Sequence, residues 1–105
     1  MDSIAILMQE IKKFVDERDW EKYHTPKNLA ISISIEANEL LEHFQWNELS
    51  FEEIRGNEEK FREISHEIAD VFIYLLMFSY NLGVDVKRII MEKLEMNRKK
   101  YPAQS

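Results

Sequence analysis

An all-α fold is predicted by three features of this 105-residue chain. Only two glycines and two prolines punctuate it, too few for the turns of an all-β domain this size. Apolar residues recur at three- and four-residue intervals over long stretches, the pattern of one buried helix face. The breakers fall between those stretches, at Thr25-Pro26, Gly56-Asn57 and Gly83. Hydrophobic residues make up 45% and charged residues 32%, a globular rather than a disordered composition. Residues 1–105 are read as a single domain, a four-helix bundle-type subunit.

The first helix begins at Asp2 or Ser3, either of which can cap the exposed N–H groups. Ile4, Leu7, Met8, Ile11, Phe14 and Val15 form its inner face, and the pattern fades over 18–23. Thr25 then caps a second helix, with Pro26 at the first helical position, where its missing N–H is harmless. That helix is expected to run to about Trp46. Its ISISI run (31–35) alternates as a strand would, but length and the EANELLEHF continuation favour helix. Leu29, Ile33, Ala37, Leu40, Leu41 and Phe44 are assigned to its inner side. Residues 47–57 form a connection in which Ser50 and Glu53 have capping-box spacing, enough for one short helical turn. Asn57 caps a third helix from Glu58 to about Leu82, which Gly83 stops in a left-handed conformation. Asp85 caps the fourth, which carries Val86, Ile89, Ile90, Lys93, Leu94 and Asn97 and ends near Tyr101-Pro102.

Charge and composition exclude several function classes. The net charge is −6, opposite to the basic field that nucleic-acid binding requires. There is no cysteine, hence no disulfide scaffold, thiolate zinc site or cysteine nucleophile. No apolar run reaches the roughly 18–20 residues that span a bilayer, and the first residues, MDSIAILMQEIKK, lack signal-peptide architecture. The expectation is a cytoplasmic protein with no membrane or nucleic-acid partner. Residues 68–78 (IADVFIYLLMF) are apolar nearly all round, and such a helix needs neighbours on every side. Three partner helices barely supply them, so a homodimer or homotetramer is expected.

The chemistry concentrates in carboxylates on the apolar seams. Glu36 lies three residues after Ile33 and four before Leu40, and Glu39 follows at i+3, so both can point at one spot. Glu67 and Asp70 repeat the spacing on the third helix, and Asp70 sits among Ile68, Ala69, Val71 and Phe72. A buried, unpaired carboxylate is costly and either protonates or finds a cation. Two such pairs facing each other make a pocket for a hard divalent ion, Mg²⁺ or Mn²⁺; a solvated acidic stripe is the bland alternative. A metal in an acidic protein suits phosphate-rich substrates, which the protein alone would repel. Lys93 and Asn97, at i, i+4, with Arg98 adjacent, are candidates for distal phosphates. The charge of the helix C-terminus also accounts for Arg98, Lys99 and Lys100. Trp20, Tyr23, His24 and Trp46 are candidates to stack on a base, with core or boundary packing the competing role. His43 and His66 receive no role.

With these residues in place, the chain resembles the all-α nucleoside triphosphate pyrophosphohydrolases of the MazG-like group, especially their small dCTP-pyrophosphatase-like branch. The stretches that carry the resemblance are RDWEKYHTPKNL (18–29), EANELLEHFQW (36–46), EIADVFIYLL (67–76) and KLEMNRKKYP (93–102). The resemblance implies Mg²⁺-dependent hydrolysis of a (d)NTP to (d)NMP and pyrophosphate by dimers or dimers of dimers. It implies Glu36, Glu39, Glu67 and Asp70 as metal ligands, with Glu39 also the candidate for orienting the attacking water. Trp20, His24, Asn28, Trp46 and Tyr74 would shape the nucleoside site, and Lys93, Asn97 and Arg98 would reach phosphates. One departure is Asn38, where relatives often carry Gly. Two other classes stay open: a di-iron carboxylate bundle, for which Glu63-x-x-His66 is a single half-motif, and a non-catalytic helical adapter.

Overall fold

The computed structural model describes residues 2–103, and those residues form helices, turns and no strand. The five helices are α1 (Ser3–Glu17), α2 (Pro26–Glu42), α3 (Phe51–Arg55), α4 (Glu58–Leu82) and α5 (Val86–Lys100), with a 3₁₀ turn over Glu21–Tyr23. Each of the five begins at a side-chain cap. Asp2 accepts from the Ala5 N–H at 2.8 Å, Thr25 from Asn28 at 3.1 Å, Asn57 from Lys60 at 3.1 Å and Asp85 from Arg88 at 3.1 Å. Ser50 and Glu53 close the reciprocal capping box that starts α3, the short turn expected in the connection. The ISISI run is helical throughout.

Two joints turn on left-handed backbone. Asp19 has φ 54° just after α1, a conformation Asp tolerates through its short polar side chain. Gly83 has φ 84° and its N–H returns to the Ser79 carbonyl at 2.9 Å. Beyond it α5 leaves α4 at about 100°.

α2 and α4 pack antiparallel along most of their length, and α1 and α3 lie against α4. Leu29 meets Met77 in the core, Glu36 lies by Glu67 and Asp70, and His43 reaches Lys60 and Glu63. Each step down α2 is thus a step back along α4. The innermost core is small: Val15, Leu29 and Met77, flanked by Ile11, Ile73, Tyr74, Phe78 and Tyr80.

Several expected details differ. α2 stops at Glu42, four residues short of Trp46, where bonding tightens to i→i−3 at His43, Phe44 and Gln45. That tightening folds the chain back so that Phe51 and Ile54 join Leu40, Phe44, Phe61 and Ile64 around an apolar cavity of about 400 Å³. Leu7, Phe14, Ala37 and Leu41, assigned inward, are exposed, because no helix of the same chain covers their faces. Ile68, Phe72 and Leu75 on α4 are exposed for the same reason.

Candidate active site

The antiparallel register converts two sequence rows into one site. On α2, Glu36, Glu39 and His43 follow at intervals of three and four. On α4, Lys60, Glu63, Glu67 and Asp70 do the same. Both rows turn toward the seam, because those intervals keep side chains on one face.

Glu36, Glu67 and Asp70 each offer a carboxylate oxygen, and the three oxygens lie within 4.8 Å of one another. This is the one such group among the described residues. An octahedral Mg²⁺ shell has adjacent oxygens about 3.0 Å apart and opposite ones about 4.2 Å apart, so modest side-chain adjustment suffices to close on an ion. Two oxygens, Glu36 Oε2 and Glu67 Oε2, are buried with no hydrogen-bond partner. Carboxylates in that condition need a proton or a cation.

The electrostatics agree. Burial, followed by hydrogen bonding and charge from Glu39 and then the charges of Asp70 and Glu67, pushes the Glu36 carboxyl up to about 7. Burial and Glu39 likewise raise Glu67, with Asp70 adding to the rise and His43 opposing it. Glu39 therefore sits against both Glu36 and Glu67. It also lines an open cavity of about 280 Å³ with Glu42, His43, Lys60 and Glu67. The all-oxygen donor set fits a hard divalent ion. Glu63 and His66 do not enter the cluster, which leaves the di-iron half-motif without a metal group.

The remaining expected site residues divide. His24 lines a second cavity of about 320 Å³ with Pro26, Leu29, Phe78, Asn81 and Leu82, and its Nδ1 is buried and unpartnered. Asn28 is committed locally, its Nδ2 donating to the Tyr23 carbonyl at 2.9 Å. Trp20 packs edge-on against Phe14, ring centres 5.6 Å apart, with the Arg18 guanidinium over the Phe14 ring at 3.7 Å. Tyr74 packs against the core cluster. Trp46 follows the far end of α2, 84% exposed. The 17 residues of α2 put roughly 25 Å between the two helix ends, so one chain does not bring Trp46 and His24 to one base. Lys93 and Arg98 are exposed and Asn97 is half-buried, all on α5, whose packing against the other helices is slight. Arg98 is engaged by Glu95 at 2.9 Å.

Two residues given no weight from sequence belong to the site's surroundings. His43 Nδ1 lies 3.2 Å from Lys60 Nζ and 3.9 Å from Glu63 Oε2. Their spacing held the signal: His43 is one turn beyond Glu39, and Lys60 is two turns before Glu67 in the α4 row.

Comparison with known proteins gives concordant matches. The pattern of the MazG-like family matches residues 31–105. Rat dCTP pyrophosphatase 1 is 36% identical over 91 residues, covering 86% of this chain and 54% of that protein. Human dCTP pyrophosphatase 1 is 36% identical over 92 residues, covering 87% and 54%. The chain thus spans about half the length of the curated relatives it matches. A crystal structure of a pyrophosphatase from Archaeoglobus fulgidus DSM 4304 superposes with a TM-score of 0.86 at 45% identity, covering 98% of this chain and 95% of that one.

Proposed function

The chain belongs to the MazG-like family, and on that premise we propose that it is a divalent-metal-dependent nucleoside triphosphate pyrophosphohydrolase that releases pyrophosphate and a (d)NMP. The observation that carries this reading is the cluster of Glu36, Glu67 and Asp70 oxygens within 4.8 Å, two of its carboxylates having buried, unpartnered oxygens. The relatives named dCTP pyrophosphatase 1 and the structural neighbour named a pyrophosphatase support it.

Glu36, Glu67 and Asp70, with Glu39 beside them, would hold Mg²⁺ or, in its place, Mn²⁺. When bound, the ion supplies charge neutralisation toward phosphate oxygens and lowers the pKa of a coordinated water. Glu39 orients the attacking water and accepts its proton, since it lies at the cavity edge of the cluster rather than within the closest oxygen triad. Water adds at phosphorus while the bond to the leaving phosphate oxygen breaks, and the proton passes to the Glu39 carboxylate. His24 offers a buried polar nitrogen to a base edge in an otherwise largely apolar cavity. We assign a dCTP-like substrate from the relatives' names, propose a nucleotide-pool house-cleaning role, and take residues 1–105 as one MazG-like domain.

A second copy completes the subunit in this reading. The chain exposes 8594 Å², against roughly 6,200 Å² for a compact chain of this mass. Its radius of gyration is 16.7 Å, against about 13 Å for a compact domain of this length. The excess falls on Ile68, Phe72 and Leu75 of α4 and on Trp46, Phe51, Ile89 and Leu94 elsewhere. A homodimer, or a dimer of dimers, would cover these groups. It would also bring Trp46, Lys93, Asn97 and Arg98 toward a carboxylate cluster that their own chain leaves distant.

The test is a panel of dNTPs and modified dNTPs with Mg²⁺, resolving NMP, NDP, pyrophosphate and orthophosphate. Pyrophosphate is the expected product. Glu39→Ala or Asp70→Ala should reduce turnover at least about a hundredfold with helicity retained. Orthophosphate as the main product overturns the reaction class.

A further inference from the structure

The α2–α4 seam is chemically polar along its length. At one end stands the largely apolar cavity of Leu29, Phe78 and His24. In the middle stand Glu36, Glu67 and Asp70. At the other end Glu39, Glu42, His43, Lys60 and Glu67 line an open, polar cavity. Leu29 to Glu36 and Glu36 to His43 are seven residues each, about 10 Å of helix in either direction. A base held at the first end and a reacting phosphate at the carboxylates would direct the rest of the phosphate chain toward Lys60.

Lys60 is suited to receive it. Its ammonium lies 3.2 Å from His43 Nδ1. An ammonium only donates, so in this contact Nδ1 is the acceptor. Three carboxylates line the same cavity. Even so, among the described residues no carboxylate oxygen comes within 4.0 Å of Lys60 Nζ. An ammonium held by a ring nitrogen and not by a carboxylate has two further N–H donors to offer. Such donors hold phosphate oxygens strongly.

We propose that Lys60, positioned by His43, binds the pyrophosphate half of the substrate and holds it as the leaving group. The assignment rests on the pyrophosphohydrolase reading above and adds the direction in which the substrate lies along the seam. Lys93, Asn97 and Arg98 of the same chain do not line this cavity, and those that a second copy would bring to the cluster add to Lys60 rather than replace it. If Lys60 serves only to offset the surrounding carboxylates, its removal changes Mg²⁺ affinity and stability and leaves pyrophosphate affinity alone.

Titration calorimetry of the full chain with inorganic pyrophosphate, and separately with a nucleoside monophosphate, both at fixed Mg²⁺, distinguishes the two. Lys60→Met is expected to weaken pyrophosphate binding about ten- to a hundredfold and to leave monophosphate binding within about twofold. Lys60→Arg should keep most of the affinity, and His43→Leu should lose less than Lys60→Met, because the ammonium remains but is untethered. Circular dichroism confirms folding, with Lys60→Gln as the second variant if Lys60→Met unfolds. Equal pyrophosphate affinity in wild type and a folded neutral variant overturns the Lys60 assignment while leaving pyrophosphate release intact. Release of orthophosphate by the wild-type protein instead removes the reading on which the assignment stands.

Discussion

Replacing Glu36 by Gln in metal-free protein should stabilise it at alkaline pH, an unusual outcome for a site residue. In the folded chain the Glu36 carboxyl is pushed from 4.5 up to about 7, first by burial and then by Glu39, Asp70 and Glu67. Between those values the folded state binds more protons than the unfolded one, so stability falls as pH rises through that window. The proton-linked stability is therefore fully present below about 4.5 and gone above about 7. The displacement corresponds to roughly 3 kcal/mol at 1.36 kcal/mol per unit, and solvent screening in the open cavity brings the expected figure to ~1–2 kcal/mol. Gln keeps the shape and removes the charge. Urea unfolding in EDTA at fixed protein concentration should thus show Glu36→Gln more stable than wild type by that amount at pH 8, with the gap closing toward pH 5. Saturating Mg²⁺ should reverse the order at pH 8, because wild type alone gains the full linkage of a bound ion. A Gln variant that is less stable than wild type at pH 8 without metal, or equally offset at both pH values, would contradict the convergence of these carboxylates.

Three further outcomes follow from the geometry. Mg²⁺ binding to wild type should release protons near pH 6, read as a buffer-dependent calorimetric heat, since the ion displaces the proton favoured on Glu36. Phe72→Lys, at a 58% exposed position on α4, should shift the species in analytical ultracentrifugation toward monomer while leaving the internal core of Val15, Leu29 and Met77 alone; an unchanged mass would show that this face is not the contact. Gly83→Ala should lower stability by about 1 kcal/mol, because φ is 84° although nothing crowds an added Cβ; an unchanged unfolding midpoint would mean that the α4–α5 joint readily adopts another backbone.

The starts of the helices were legible because capping chemistry is local. Asp2, Thr25, Asn57 and Asp85 each bond to an N–H three residues on, and sequence spacing suffices to find them. The end of α2 was not legible. No glycine or proline lies between Glu42 and Arg55, and the chain tightens at His43 so that α3 can lie over Leu40 and Phe44, a tertiary demand. The carboxylate convergence was legible for a related reason: i, i+3 pairs on two apolar seams must meet if the helices pack antiparallel. Lys60 was not legible, because its relation to the acids is set by register between helices. Nothing near Asp70 in sequence supplies a cation, yet Lys60 lines the cavity that Glu67 lines.

The same register explains why the subunit is so open. α4 offers one face to α2 and smaller ones to α1 and α3, and its apolar residues run nearly all round, so a single chain leaves Ile68, Phe72 and Leu75 uncovered. Adding apolar side chains to the internal core would not cure this, since the uncovered faces point away from Val15, Leu29 and Met77. α5 could cover them only by folding back, and the left-handed turn at Gly83 directs it away from α4 at about 100° instead. Exposure of this extent therefore follows from the placement of one glycine and the all-round apolarity of one helix. Burial of the carboxylates that makes a cation necessary lies on the α2–α4 face and is already present in the single chain. On this division, the proposed metal site and the proposed subunit contact fall on different faces of α4 and should respond separately to Glu36→Gln and Phe72→Lys.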